Sequence, residues 1–176
     1  MAYETYISDP VADATIVTLE QAKMNSKIEF DDEDALLEIF VDAATNEIEN
    51  YIGGPVLPRE ASSFVLSKWC RSLKAGPRVE AIESVTYVDD EGEEQELAAD
   101  DYYLIKNTNT IVITADEPVD FEEDLTINCT LGYTTIPADI KRAALLIFSN
   151  ADTYRENMPI KLNTAAQALL RPYKIY

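Results

Sequence analysis

Leu125-Thr126-Ile127-Asn128-Cys129-Thr130-Leu131-Gly132-Tyr133-Thr134-Thr135-Ile136-Pro137-Ala138-Asp139-Ile140-Lys141-Arg142-Ala143-Ala144 changes its hydrophobic period halfway. Up to Thr130 every second residue is apolar, the pattern of a half-buried strand. Gly132 to Pro137 is a break, and Pro137 suits the first turn of a helix. Beyond it Ile140, Ala143, Ala144, Ile147 and Ala151 recur at helical spacing, widened by Leu145, Leu146, Phe148 and Tyr154. A helix apolar over so much of its circumference is expected to be buried on more than one side. A β section therefore ends here and a helical section begins.

Upstream, period two dominates. Thr110-Ile111-Val112-Ile113 and Tyr102-Tyr103-Leu104-Ile105 read as strands joined by the turn Asn107-Thr108-Asn109. The run from Val79 to Val88 is another, followed by the hairpin signal Asp89-Asp90-Glu91-Gly92. From Ser62, Phe64, Leu66 and Lys68 alternate with Val65, Ser67 and Trp69. Five short strands at hairpin spacing predict a small antiparallel sheet or sandwich.

Before Ser62 the period returns to helical. Leu37, Phe40, Val41, Ala44, Ile48, Tyr51 and Ile52 form one stripe, with Asp42, Thr45, Asn46, Glu49 and Asn50 facing away. Gly53-Gly54-Pro55 ends this helix. Asp31-Asp32-Glu33-Asp34 begins it, because carboxylates favour the positive end of the helix dipole. Thr18-Leu19-Glu20-Gln21 has the form of a capping box, which predicts a short helix ending near Ile28 to Phe30. Residues 1–17, with Asp9-Pro10, read as an extended arm of the kind a neighbour orders. Downstream, Met158-Pro159 breaks the long helix, Asn163 or Thr164 caps a short one from Ala165 to Leu170, and a basic, aromatic tail follows.

The fold class is thus α+β. A helical core from residues 18–60 and 135–170 carries an inserted antiparallel β-lobe, 61–134, with an arm at 1–17 and a tail at 171–176. The helices on either side of the insert are expected to pack together.

The 176 residues carry 33 acidic and 14 basic side chains, a formal net charge of −19. Residues 1–60 and 79–134 hold nearly all the acid, whereas 61–78 and 135–176 are net positive. One reading is a solvated acidic surface; another is charge complementarity between copies or with a partner. Such acidity argues against a broad nucleic-acid surface. The segment Lys68-Trp69-Cys70-Arg71-Ser72-Leu73-Lys74 mixes cations with an aromatic. A strand edge or subunit contact explains it better than a base-stacking platform. Histidine is absent, and the two cysteines, Cys70 and Cys129, lie far apart, so neither a zinc site nor a cysteine–histidine nucleophile can be assembled. No serine elbow or phosphate-binding glycine loop is present. The acidic turn at Asp89 lacks the ligand alternation of a calcium loop. No catalytic, cofactor or metal residues are assigned. No stretch reaches the roughly 18–20 apolar residues of a membrane span, and the start Met1-Ala2-Tyr3-Glu4 is unlike a secretory signal. Cytoplasmic synthesis is expected.

Taken in order, several stretches resemble the head–tail connector (adaptor) proteins of lambdoid and related long-tailed bacteriophages. Thr18 to Lys23 and Asp31 to Leu37 are similar to that family's opening helices, and Ala44, Ile48, Glu49, Tyr51 and Gly53 to the end of its long helix. Gly76 to Asp89 and Leu97 to Tyr103 resemble its strand and hairpin pattern. Leu131-Gly132-Tyr133 with Ile136 to Ala143 resembles the entry into its last long helix. Tyr154-Arg155-Glu156-Asn157 differs in order from the family's run, and Ala168 to Tyr173 looks like its closing signature. The resemblance spans roughly residues 17–174.

It implies a ring of about twelve copies beneath the portal protein. The ring continues the DNA channel and offers a docking surface to a stopper or tail-completion protein, with DNA passing through without specific binding. It also implies that the C-terminal segment reaches the portal: Leu169, Leu170, Arg171, Pro172, Tyr173, Lys174, Ile175 and Tyr176. The location implied is the virion neck. Alternatives are a stopper or tail terminator, which would be richer in strand, and a soluble acidic module that binds a basic protein.

Overall fold

A computed structural model describes residues 3–118, 121–155 and 164–175, leaving aside the side chains of 122 and 123. The fold is α+β, with four helices and two antiparallel sheets. The chain forms two compact units. One comprises Met1–Ala12 with Pro58–Thr134, the other Asp13–Leu57 with Thr135–Tyr176.

The first unit holds all the strands: β1 (Glu4–Tyr6), β2 (Arg59–Leu66), β3 (Ser72–Lys74), β4 (Val79–Asp89), β5 (Glu94–Glu96), β6 (Tyr102–Ile105), β7 (Thr110–Ile113) and β8 (Phe121–Leu131). One sheet runs β1-β2-β8-β4-β5 and the other β3-β7-β6. Leu125, Ile127, Cys129 and Leu131 of β8 are fully buried, as period two requires. With Phe64 and Leu66 of β2, Val85 of β4, Leu73 of β3 and Ile111 and Ile113 of β7 they form one core drawn from both sheets. Strand β4 keeps only part of the predicted alternation. Its register against β8 shifts repeatedly, between Val79 and Ala81 and again between Ile82 and Ser84, and each bulge turns the following side chains to the other face.

Three strands were not legible in the sequence, namely β1, β3 and β5. Each has three residues, too few to show a period. Residues Glu4–Tyr6 pair antiparallel with Ser63–Val65. Tyr3 seals this strand: its ring meets Phe64 edge-on at 5.5 Å, and its hydroxyl accepts the Gly76 N–H at 2.9 Å.

The second unit contains α1 (Leu19–Ser26), α2 (Asp34–Ile52), α3 (Ala138–Thr153) and α4 (Thr164–Leu170). Thr18 and Gln21 make the reciprocal capping box at 3.2 Å in each direction. Helix α1 stops sooner than periodicity suggests, because Lys27 turns left-handed at φ 57° and its N–H caps Lys23 and Met24. Gly53 ends α2 at φ 84°, a conformation that costs glycine least. The core is Leu37, Val41, Ala44, Ile48 and Ile52 of α2 against Ile140, Ala143, Ala144, Ile147, Phe148 and Ala151 of α3. Two assignments differ from expectation. Thr45 is buried rather than outward, its hydroxyl donating to the Val41 carbonyl at 3.2 Å. Tyr154, counted in the apolar stripe, is 54% exposed, because α3 ends at Thr153. Met158-Pro159 and Asn163 lie outside the described residues. Among the described residues no helix is long and apolar enough to cross a membrane.

Candidate functional site

The C-terminal segment is built into the helical unit. Leu170, the last residue of α4, is fully buried together with Ala166, so it serves the core. A single 3-10 turn, Arg171–Tyr173, follows. The Ile175 N–H donates to the Ile52 carbonyl at 2.8 Å. That carbonyl lies in the last turn of α2, where helical acceptors lack partners. The Tyr173 hydroxyl points at Asp139 Oδ2, 3.5 Å away. Burial, and then the Asp139 charge, push the phenol pKa up. Lys174 Nζ lies 5.2 Å from the centroid of the Tyr51 ring.

Of the eight residues singled out from the sequence, Leu170 is interior and Leu169, Tyr173 and Ile175 are half-buried. Arg171, Pro172 and Lys174 are exposed. Tyr176 lies outside the described residues. Sequence reasoning missed the partners Tyr51, Ile52 and Asp139, which pairing across more than 30 residues hides from any local pattern. It also missed that Lys141 and Arg142 are exposed on the first turns of α3, the helix whose Asp139 the Tyr173 hydroxyl faces.

The opposite end of the helical unit is acidic. Lys23 bridges Asp31 at 2.6 Å and Asp34 at 2.5 Å, tying α1 to the start of α2. Arg155 bridges Glu33 at 2.7 Å and Asp152 at 2.8 Å, tying the end of α3 to the same place. These contacts hold Glu33 below the usual carboxylate range and raise both cations. Lys23 is largely covered and the Arg155 pairs are partly exposed, and the bridges fix the geometry of the helix ends more than they add stability.

In the β unit, Asp89 is consumed by its turn. Its Oδ1 accepts the Glu91 and Glu93 N–H groups at 3.0 and 2.8 Å, and Oδ2 accepts from Gln95 at 2.8 Å. These donors lower its pKa. Trp69 makes T-shaped contacts with Phe121 at 5.5 Å and Tyr87 at 6.1 Å, so its ring is packed within the unit. Arg71 pairs with Asp116, and β3 is an edge strand. Burial pushes the Cys129 thiol up to about 12, with a smaller push from Glu83, and raises Cys70 as well. Among the described residues no three His, Cys, Asp or Glu are placed to hold a metal ion. The two ends of the helical unit differ in charge: the end of Tyr173 carries Arg171, Lys174, Lys141 and Arg142, and the other carries the paired carboxylates Asp31, Glu33, Asp34 and Asp152.

The family model described as "Head completion protein" matches residues 15–157. No curated protein matches the chain. Among solved structures, a chain in the neck of an empty GTA particle computed with C6 symmetry is similar. Its TM-score is 0.69 at 16% identity, and the match covers 100% of this chain and 96% of that one. A chain of the native gene transfer agent virion matches with TM-score 0.64, 16% identity and the same coverage. A third, from the native GTA neck computed with C12 symmetry, has TM-score 0.63 and 18% identity, again covering 100% and 96%. At these identities the likeness is one of fold.

Proposed function

This chain belongs to the head completion protein family, and from that premise we propose that it is the adaptor subunit of a virion neck. Its role is structural and non-catalytic. Copies form a ring of about twelve beneath the portal, in keeping with the closed symmetry of homo-oligomers. The ring extends the DNA channel and presents a surface to a stopper or tail-completion protein.

The observation that carries this reading is the match of the whole chain, both units in order, to a subunit of a neck computed with C12 symmetry. The acidic body supports a lumen that does not retain DNA, since phosphates and carboxylates repel. The basic end supports portal docking through Arg171, Pro172 and Lys174, with Tyr173 as an anchor whose position Asp139 fixes. Leu169, Ile175 and Tyr176 complete that surface, while Leu170 holds it to the core.

The test is binding of the purified chain to assembled portal, read by co-sedimentation. Arg171→Glu combined with Lys174→Glu is expected to abolish docking and the Lys174–Tyr51 contact while the circular dichroism stays that of the folded chain, because both side chains are exposed. Undiminished docking by that variant sinks the portal assignment of the tail.

A further inference from the structure

Four strands end the two sheets of the β unit. Strands β1 and β5 close the five-stranded sheet, β3 and β6 the three-stranded one. An end strand leaves a row of N–H and C=O groups unpaired, so it can take a further strand. Charge separates the four. Strand β3 carries Lys74 and follows Lys68 and Arg71, and no carboxylate occurs from Ala61 to Arg78. Strand β5 is Glu94-Gln95-Glu96, reached through Asp90, Glu91 and Glu93, with no lysine or arginine. Strand β1 has one charge, Glu4, and β6 has none. Lys74, Glu94 and Glu96 are exposed, and none forms an ion pair among the described residues.

The backbones match as well. The Arg71 carbonyl accepts the Ile113 N–H at 3.1 Å, and the Ala75 N–H donates to the Asn109 carbonyl at 3.0 Å. Bonded residues alternate along an antiparallel ladder, so Ser72 and Lys74 turn their peptide groups to the open side. The Ser72 N–H is held by the Cys70 thiol, which leaves its carbonyl. In β5 the Glu93 carbonyl accepts the Asp89 N–H at 3.0 Å, and the Leu97 N–H donates to the Val85 carbonyl at 2.9 Å. By the same alternation Glu94 and Glu96 turn outward. Each edge therefore offers two residues at a spacing of two, one edge cationic and the other anionic.

A charged edge guards a sheet against stray pairing. Here each edge guards only against its own kind: β5 on β5 opposes carboxylates, and β3 on β3 opposes ammonium groups. The guard is absent where β3 meets β5. Within one chain these strands belong to different sheets, so the complementary edge is that of a second copy. Unlike patches make a heterologous contact, the kind from which rings are built.

We propose that β5 of one copy adds antiparallel to β3 of the next, with Glu94 opposite Lys74, and so joins the β units side by side in the neck ring. This deepens the ring reading and rests on it. Lys74 and Glu94 exchange their backbone hydrogen bonds, and the Ser72 carbonyl takes the Glu96 N–H. The Lys74 ammonium gains a carboxylate across the strands.

Disulfide trapping of the full chain, alone and on assembled portal, tests the contact. Residues paired in this way have Cα atoms about 5.5 Å apart, within reach of a disulfide. Lys74→Cys joined to Glu94→Cys is expected to give a ladder of oligomers on a non-reducing gel, whereas either variant alone stops at dimers. The native cysteines are buried and add nothing. Lys74→Glu and Glu94→Lys, both at exposed positions, are each expected to raise the concentration needed for rings about fivefold by native mass spectrometry, with unchanged circular dichroism. Their combination should restore it. Rings that form without a ladder, or a combined variant that fails to recover, would overturn this contact and leave the neck ring standing. A wild type that forms no ring even on the portal would overturn both.

Discussion

Asp89 shows how a residue that suggests ligand chemistry can be spent on local structure. Its carboxylate accepts two backbone N–H groups and the Gln95 amide, so the folded state prefers the ion and the pKa falls. A carboxyl depressed on folding contributes stability that is complete above its ordinary value of 3.8 and is lost as pH drops through the folded value. Asp89→Asn should lower the melting temperature at pH 7 and flatten its decline below pH 4. Parallel acid titrations of the two proteins, followed by circular dichroism, would expose an unchanged slope and refute the assignment. The thiols make a second residue-scale case. Cys129 is fully buried and Cys70 nearly so, and only thiolates react. Native protein should resist a disulfide reagent at pH 8, whereas unfolded protein should release two equivalents. Rapid labelling of the native chain would contradict the packing.

At the scale of elements, legibility followed length and locality. The capping box at Thr18, the stop at Gly53 and the alternation from Leu125 to Leu131 are local signals of sufficient length, and each appears where it was read. Three-residue strands have no period to detect, and the bulges of β4 scramble the one it has. Thr45 looked outward because polarity was weighed without its hydroxyl's bond to Val41. In the candidate site, the cationic and aromatic character of the tail was legible. Its attachment was not, since the Ile175–Ile52 bond joins residues far apart in sequence. Leu170, read as part of a docking surface, separates the two roles cleanly. Leu170→Ala should cost about 2–5 kcal/mol of stability through the cavity it leaves, measurable by urea titration. A cost well under 1 kcal/mol would mean that α4 is not seated as described.

On the scale of the molecule, charge of −19 with 33 carboxylates dominates what can approach it. Clustered cations are few, and Arg71, Arg78, Lys106 and Arg155 each hold an acidic neighbour. Binding to mixed-sequence duplex DNA should be undetectable by gel shift at physiological salt. A complex that persists as salt is raised would contradict the repulsive lumen, because phosphate contacts weaken steeply with salt.

The backbone passes from the β unit to the helices after residue 12, returns at 58, and leaves again after 134. On the ribosome this imposes a waiting period. Helix α2 emerges with its inner apolar face bare, and its partner α3 follows only after residues 58–134 have been made. At about 5–20 residues per second that interval is roughly 4–15 s. During it the nascent chain shows the apolar face of α2 to its surroundings, so the yield of this protein is expected to rise with chaperone supply as well as with final stability.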